Sequence, residues 1–89
     1  MSVFKQMSKE KRFALVETMM DKVESGQIPL EVFSAYQDHI DRMSLVCNMS
    51  PDEIVASETS KQEFKLLFPD GCEEDRLGII ACVSYAQMH

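Results

Sequence analysis

Apolar side chains recur every three or four residues in the first quarter of the chain, which is the spacing of one face of an α-helix. These residues are Phe13, Val16, Met20 and Val23, with Leu15 and Met19 widening the stripe. Ser8 precedes the stripe and is a good N-cap residue, whereas Gly26 follows it, where a left-handed residue ends a helix at little steric cost. The pattern therefore predicts a first helix over residues 8–25.

A second apolar seam with the same spacing follows after a short turn. Its members are Phe33, Tyr36, Ile40, Met43 and Cys47. Pro29 lacks the N–H that is left unpaired in a first helical turn, so it suits the start of this helix. We predict a second helix from about Pro29 to Cys47, packed side by side with the first as an N-terminal helical hairpin.

Two capping patterns divide the next part of the chain. Ser50-Pro51-Asp52-Glu53 combines an N-cap serine, a proline at the first helical position and a glutamate three residues after the cap, so a third helix begins there. A polar stretch follows, and Ser60 and Glu63 repeat the serine–glutamate spacing. We predict a break near Thr59 and a further helical segment that reaches Phe68.

The last predicted helix covers residues 72–87 and has no polar face. Acidic residues occupy its first turn, and almost every position from 77 to 86 is apolar or small. The alternative is a strand over Ile79–Tyr85, but the acidic cap and the lack of a partner strand favour a helix. The whole pattern predicts an all-α fold, a small helical bundle of about four to five helices.

A helix that is apolar all round must be central in a bundle or lie in a subunit interface. An 89-residue chain buries a limited share of its surface, so we expect this helix to need cover from a second copy. The residues expected at that homodimer interface are Leu77, Gly78, Ile80, Ala81, Ser84 and Tyr85.

Charge restricts the partners that the chain can bind. The net charge is -6, although the first twelve residues carry four basic side chains and one acidic side chain. We expect a single domain over residues 1–89, with residues 1–7 as a flexible basic N-terminus. The acidic body disfavours direct binding to nucleic acid or to anionic membranes. Lys5 and Gln6 stand where a secretory segment needs apolar residues, so a cytoplasmic location is expected.

Candidate chemistry is sparse. His39 lies beside Asp38 and Asp41, a pairing that can tune a general base, but a histidine packed at the edge of the core is the favoured interpretation. No paired cysteine spacing typical of a zinc site occurs, so neither a metal nor a cofactor is expected. The three cysteines are expected as reduced thiols buried among apolar residues, and they are Cys47, Cys72 and Cys82.

Three hypotheses for function follow from these observations. None of them rests on a catalytic motif. The first is a non-enzymatic protein-interaction or regulatory module that binds another protein, as a homodimer, through an apolar groove. The groove is expected around Met19, Met20, Tyr36, His39 and Met43.

The second hypothesis is an acidic inhibitor, virus-encoded in one form, that occludes a basic nucleic-acid-binding groove on its target. Its acidic face is expected to comprise Glu17, Asp21, Glu24, Asp38 and Asp41. The third hypothesis is a small-ligand binder or an enzyme built at a subunit interface, and it rests on Tyr36, His39 and Arg42 lying on one helix.

Overall fold

A computed structural model describes the backbone of residues 6–88 and the side chains of residues 6–85. These residues form five α-helices and no strand. The helices are α1 (Lys9–Glu24), α2 (Leu30–Leu45), α3 (Pro51–Ala56), α4 (Glu58–Leu67) and α5 (Glu73–Met88). The predicted all-α bundle is confirmed, and the strand alternative for residues 79–85 is wrong. Of the expected flexible N-terminus, residues 1–5 lie outside the described residues.

The predicted start and end of the first helix are confirmed. The Ser8 hydroxyl accepts a hydrogen bond from the backbone N–H of Lys11 at 3.1 Å, as an N-cap residue does. Gly26 has a φ of 81°, in the left-handed region where a residue without a Cβ atom is unstrained. The Ile28 N–H then donates to the Lys22 carbonyl at 3.0 Å and brings the chain round to α2.

The start of α3 is also confirmed, but α4 begins earlier than predicted. Both hydrogen bonds of the capping box form between Ser50 and Glu53, at 3.3 and 3.0 Å. The break between α3 and α4 falls at Ser57, whose hydroxyl accepts from the backbone N–H of Ser60 at 3.4 Å. Ser60 matches the capping pattern in sequence, yet its side chain is buried and bonds to other helices.

Helix α5 lies at the centre of the bundle. It packs against α1, α2 and α3, while α4 packs against α2 and α3. Its buried residues are Arg76, Gly78, Ile79, Ile80, Ala81 and Val83. The chain itself therefore covers the helix that the sequence left without a polar face.

The two N-terminal helices do not pack side by side as the hairpin prediction required. Instead α1 runs antiparallel to α5, with Lys22 of α1 bonded to Asp75 at 2.6 Å at one end. At the other end, the rings of Phe13 and Tyr85 lie 6.4 Å apart. The seam of α2 faces α4 and α5, so α1 is left to pack against α5.

A glycine decides which face of α1 points inward. A Cβ atom on Gly78 would lie 2.9 Å from the Cε atom of Met19 and 3.7 Å from the Leu15 carbonyl oxygen, so the two helices approach closely there. Met19 fills this space and is buried, whereas Met20 is 42% exposed. The inward face of α1 is therefore turned away from the predicted line through Met20.

Candidate protein-binding face

The apolar groove predicted from the sequence is not an open surface. Met19, Tyr36 and Met43 all belong to the buried core of the chain. Met20 is exposed but points away from them, on the outer side of α1. A partner protein cannot reach the three core residues without unfolding the bundle, so they are structural.

Two of the three residues of the predicted ligand cluster on α2 contact each other inside the bundle. The imidazole of His39 stacks on the Tyr36 ring, with ring centroids 5.9 Å apart, and its Nε2 atom is buried without a hydrogen-bond partner among the described residues. Arg42 is exposed, whereas Tyr36 is fully buried. His39 therefore contacts the buried Tyr36 while Arg42 lies at the surface, and the small-ligand hypothesis stays a prediction.

Most of the expected dimer interface on α5 is already occupied within the chain. Gly78, Ile80 and Ala81 are buried, and Leu77 and Ser84 are half-buried. The covering elements are the chain's own helices, and the Ser84 hydroxyl donates to the carbonyl of Ile80 at 2.9 Å within α5. Of the six predicted residues, Tyr85 alone is exposed, at 44%.

The expected acidic face is divided between two helices that do not pack along each other. Glu17, Asp21 and Glu24 are exposed on α1 and form what we call the acidic ridge. On α2, Asp38 is exposed and Asp41 is half-buried. The ridge runs along the side of α1 away from α5, because positions 17, 21 and 24 lie opposite the inward position 19. No residue of the ridge has an ion-pair partner among the described residues.

Exposed apolar side chains lie directly beside the acidic ridge. Phe13 and Met20 of α1 and Tyr85 of α5 form what we call the apolar strip, and they are 49%, 42% and 44% exposed. The rings of Phe13 and Tyr85 meet edge to face, which is a favoured aromatic geometry. Met20 follows Phe13 by seven residues, or about 10.5 Å along the helix. Acidic and apolar groups thus occupy one continuous surface.

A buried polar centre, which the sequence analysis missed, joins four helices. The Arg76 side chain of α5 is 1% exposed, and its Nη2 atom donates to the Val55 carbonyl at the end of α3 at 2.8 Å. Its Nη1 atom donates to the Ser60 hydroxyl of α4 at 3.3 Å. The hydroxyls of Ser60 and Tyr36 are 2.7 Å apart, and the Tyr36 hydroxyl also donates to the Ser60 carbonyl.

The charge of Arg76 is balanced by Glu73, one turn earlier in α5. The Nε atom of Arg76 donates to both carboxylate oxygens at 3.0 and 3.1 Å, and Nη2 donates to one of them. Burial raises the pKa of Tyr36, although its hydrogen bond with Ser60 acts in the opposite direction. Because Tyr36, Ser60 and Arg76 are all buried, this centre fixes the packing of the helices. An arginine directly before the apolar run of α5 was the one signal in the sequence.

A surface pocket of about 350 Å³ borders this centre, between α4 and the start of α5. Its lining residues are Glu58, Lys61, Gln62, Phe64, Lys65, Gly71, Glu73 and Arg76. The Nζ atom of Lys61 lies 3.5 Å from a carboxylate oxygen of Glu58. The Arg76 guanidinium, at the floor of the pocket, is already hydrogen-bonded to Glu73, Ser60 and Val55. The pocket therefore offers a ligand little beyond exposed lysine side chains.

The cysteines differ from the prediction. Cys47 and Cys72 are exposed, and only Cys82 is partly buried, where burial raises the pKa of its thiol to about 11. Cys47 is exposed because α2 ends at Leu45, before the last position of the predicted seam. Within the described part of the chain, no group of three or more histidine, cysteine or acidic residues is placed to hold a metal ion.

None of the protein families, curated proteins or solved structures compared with this chain matches it. Over residues 6–88, no helix combines the length and the apolar character that crossing a membrane requires.

Proposed function

We propose that this chain is a non-enzymatic protein-interaction module that binds a partner protein along the outer side of α1. The observation that supports the proposal is the contact between Phe13 and Tyr85, two half-exposed aromatic rings from different helices. Aromatic side chains dominate the energetics of protein interfaces and are enriched there. Met20 extends this apolar strip by two helical turns, and the acidic ridge borders it.

The other large exposed apolar residues are less suited to this role. Leu30, Leu45, Val46 and Leu66 are each at least 63% exposed, but each lies within one residue of the end of α2 or α4. Apolar residues scattered singly over a surface are normal and need no partner. The apolar strip differs because Phe13 contacts Tyr85 of another helix, and Met20 lies on the same side of α1 as Phe13.

The size of the strip indicates what kind of interface it can form. Two half-exposed aromatic rings and one half-exposed methionine present about 250 Å², which corresponds to roughly 6 kcal/mol on burial. Association costs about 4–15 kcal/mol before any net affinity appears, and a standard interface buries about 800 Å² on each partner. The strip alone is therefore too small, and a partner must also cover the acidic ridge.

The spacing of the ridge favours such a mixed contact over imitation of nucleic acid. Three carboxylates from Glu17 to Glu24 span about 10.5 Å, or one charge per roughly 5 Å. Duplex DNA carries one charge per about 1.7 Å, and each strand carries one per about 3.4 Å. A ridge of lower charge density beside an apolar strip suits a protein surface that is partly apolar.

The proposal is tested by affinity capture from the source cells with three purified baits. These are the wild-type chain, the double variant Phe13→Ser/Tyr85→Ser, and the matched control Leu45→Ser/Leu66→Ser, which removes two apolar side chains at helix ends. A partner that binds through the strip is recovered by the wild type and the control, and loses at least about tenfold in affinity for the double variant. Equal binding by all three baits, measured with the purified partner, would contradict the proposal.

A further inference from the structure

We propose, on the basis of the function proposed above, that the partner contributes a cationic amphipathic helix that lies along the outer side of α1. The apolar residues of that helix pack on the apolar strip, and its lysine or arginine side chains pair with the acidic ridge. The inference rests on three observations about the face: its charge, its unpaired carboxylates and its repeat distance.

The charge of the face points to a cationic partner. Glu17 and Asp21 are four residues apart and Asp21 and Glu24 are three apart, spacings at which like charges on a helix repel. The nearest cation along α1 in this region, Lys22, is engaged on the other side by Asp75 at 2.6 Å. That hydrogen bond raises the pKa of the Lys22 ammonium group. The three carboxylates of the ridge repel each other and have no ion-pair partner among the described residues, so the cations of a partner can pair with them.

The same charges disfavour a second copy of the chain as the occupant. In a two-fold symmetric dimer, the same patch of both subunits forms the contact. Two copies that contact each other at the ridge itself would set one acidic ridge against the other, which opposes association. An anionic membrane surface is disfavoured for the same reason. A basic protein segment is the occupant whose charge complements the face.

The repeat distance favours a helix over a strand. Phe13 and Met20 lie seven residues apart on one side of α1, about 10.5 Å along its axis. A second helix repeats its own side after two turns, close to the same distance, and can place apolar residues beside both. Side chains on one face of a strand repeat at about 6.6 Å, which does not match this spacing. Among the described residues there is also no strand whose edge could pair with a β-segment.

The test uses a synthetic 18-residue leucine–lysine peptide with helical amphipathic spacing, titrated into the ¹⁵N-labelled full chain. We expect amide shifts confined to α1 and the neighbourhood of Tyr85. Affinity should fall at least about tenfold for the variant Glu17→Gln/Asp21→Asn/Glu24→Gln, and again for Phe13→Ser/Tyr85→Ser. A leucine–glutamate peptide of the same pattern, and a scrambled leucine–lysine peptide, should bind at least about tenfold more weakly. Binding should also weaken as salt rises, since exposed charges are screened within about 10 Å at 0.1 M.

The matched charge control is Glu58→Gln/Glu63→Gln/Asp70→Asn, which removes three carboxylates away from α1 and should bind the peptide like the wild type. Equal losses in both triple variants, or shifts centred on other helices, would overturn the inference. So would sedimentation that shows a dimer abolished by Phe13→Ser/Tyr85→Ser.

The two proposals fail in different ways. A partner lost by Phe13→Ser/Tyr85→Ser but bound normally by the α1 triple variant leaves the protein-binding function standing and removes the cationic helix. If the partner binds both sets of variants with the affinity of the wild type, both proposals are wrong. Circular dichroism of each variant verifies that the fold is retained.

Discussion

Replacing Glu73 with glutamine tests whether the buried polar centre stabilises the fold through charge. Arg76 is 1% exposed, and Glu73 is the carboxylate paired with it. An ion pair between exposed side chains contributes about 0–1 kcal/mol, but removing the counter-charge of a buried cation is more damaging. The Glu73 side chain is 62% exposed and glutamine can still accept one hydrogen bond, so both effects reduce the loss. We expect Glu73→Gln to lower the free energy of unfolding by about 1–2 kcal/mol.

A double-mutant cycle with Arg76→Met isolates this contribution. Methionine removes the charge and keeps an apolar side chain in the core, at a loss of about 2–4 kcal/mol because the Val55 carbonyl and Ser60 lose a donor. In that background Glu73 has no charge to balance, and Glu73→Gln should change stability by less than about 0.5 kcal/mol. The coupling energy is therefore expected to be about 1 kcal/mol or more.

Urea unfolding followed by circular dichroism at 222 nm measures all four chains of the cycle. With a slope of about 1 kcal/mol per molar urea for a domain of this size, the midpoint of the single variant Glu73→Gln should fall by roughly 1–2 M. Glu74→Gln is the matched control, because Glu74 lies in the same helical turn and makes no contact with Arg76 among the described hydrogen bonds. The reasoning is refuted if Glu73→Gln and Glu74→Gln have the same midpoint, or if Glu73→Gln costs as much in the Arg76→Met background as in the wild type.

Three further changes test the packing, the capping and the pH dependence. Gly78→Ala should change stability by less than about 1 kcal/mol, because the gain in helix propensity offsets the displacement of the flexible end of Met19. Gly78→Leu should lower stability by more than about 3 kcal/mol, because the larger side chain forces α1 away from α5. Equal effects of the two variants in urea unfolding would contradict the close approach of the helices. Ser50→Ala should lower the melting temperature by an amount corresponding to about 1 kcal/mol, and an unchanged melting temperature would count against the capping box. Because the pKa of Tyr36 is raised in the folded chain, the unfolded chain loses the phenol proton at a lower pH than the folded chain does. The stabilisation that Tyr36 contributes is therefore complete below about pH 10 and is lost as the pH rises through the pKa of the folded state. Tyr36→Phe should therefore lower stability at pH 7 by about 1–2 kcal/mol and flatten the decline above pH 10, and an unchanged pH profile in urea unfolding would contradict this reasoning.

Local signals in the sequence were sufficient to predict where helices begin and end. The caps at Ser8 and Ser50 and the left-handed turn at Gly26 each involve hydrogen bonds or dihedral angles within a few residues. Such features depend little on the rest of the fold, so a single sequence specifies them. Boundaries were accurate to one or two residues for every helix except α4.

Contacts between residues far apart in the sequence could not be predicted from such local patterns. Ser60 matches a capping serine in its spacing, but its hydroxyl bonds to Tyr36 and Arg76, which are 24 and 16 residues away. The apolar stripe of α1 is wide enough to be centred on either Met19 or Met20, and Gly78 on α5 decides between them. The candidate binding site changes with this choice. Met19 is buried, so Met20 is the residue of the two that a partner can contact.

The position of α5 also changes what composition implies about association. An apolar helix in a short chain suggests that a second copy must cover it, and that expectation placed the interface at Gly78 and Ile80. Three of the chain's own helices pack against α5 instead. The helical backbone is interrupted at Ser57, which has extended dihedral angles, so that α3 packs on α5 while α4 packs on α2 and α3. The outer side of α1, where the acidic ridge lies beside the apolar strip, therefore stays exposed. In the interaction that we propose, this surface favours a basic partner over another copy of the chain.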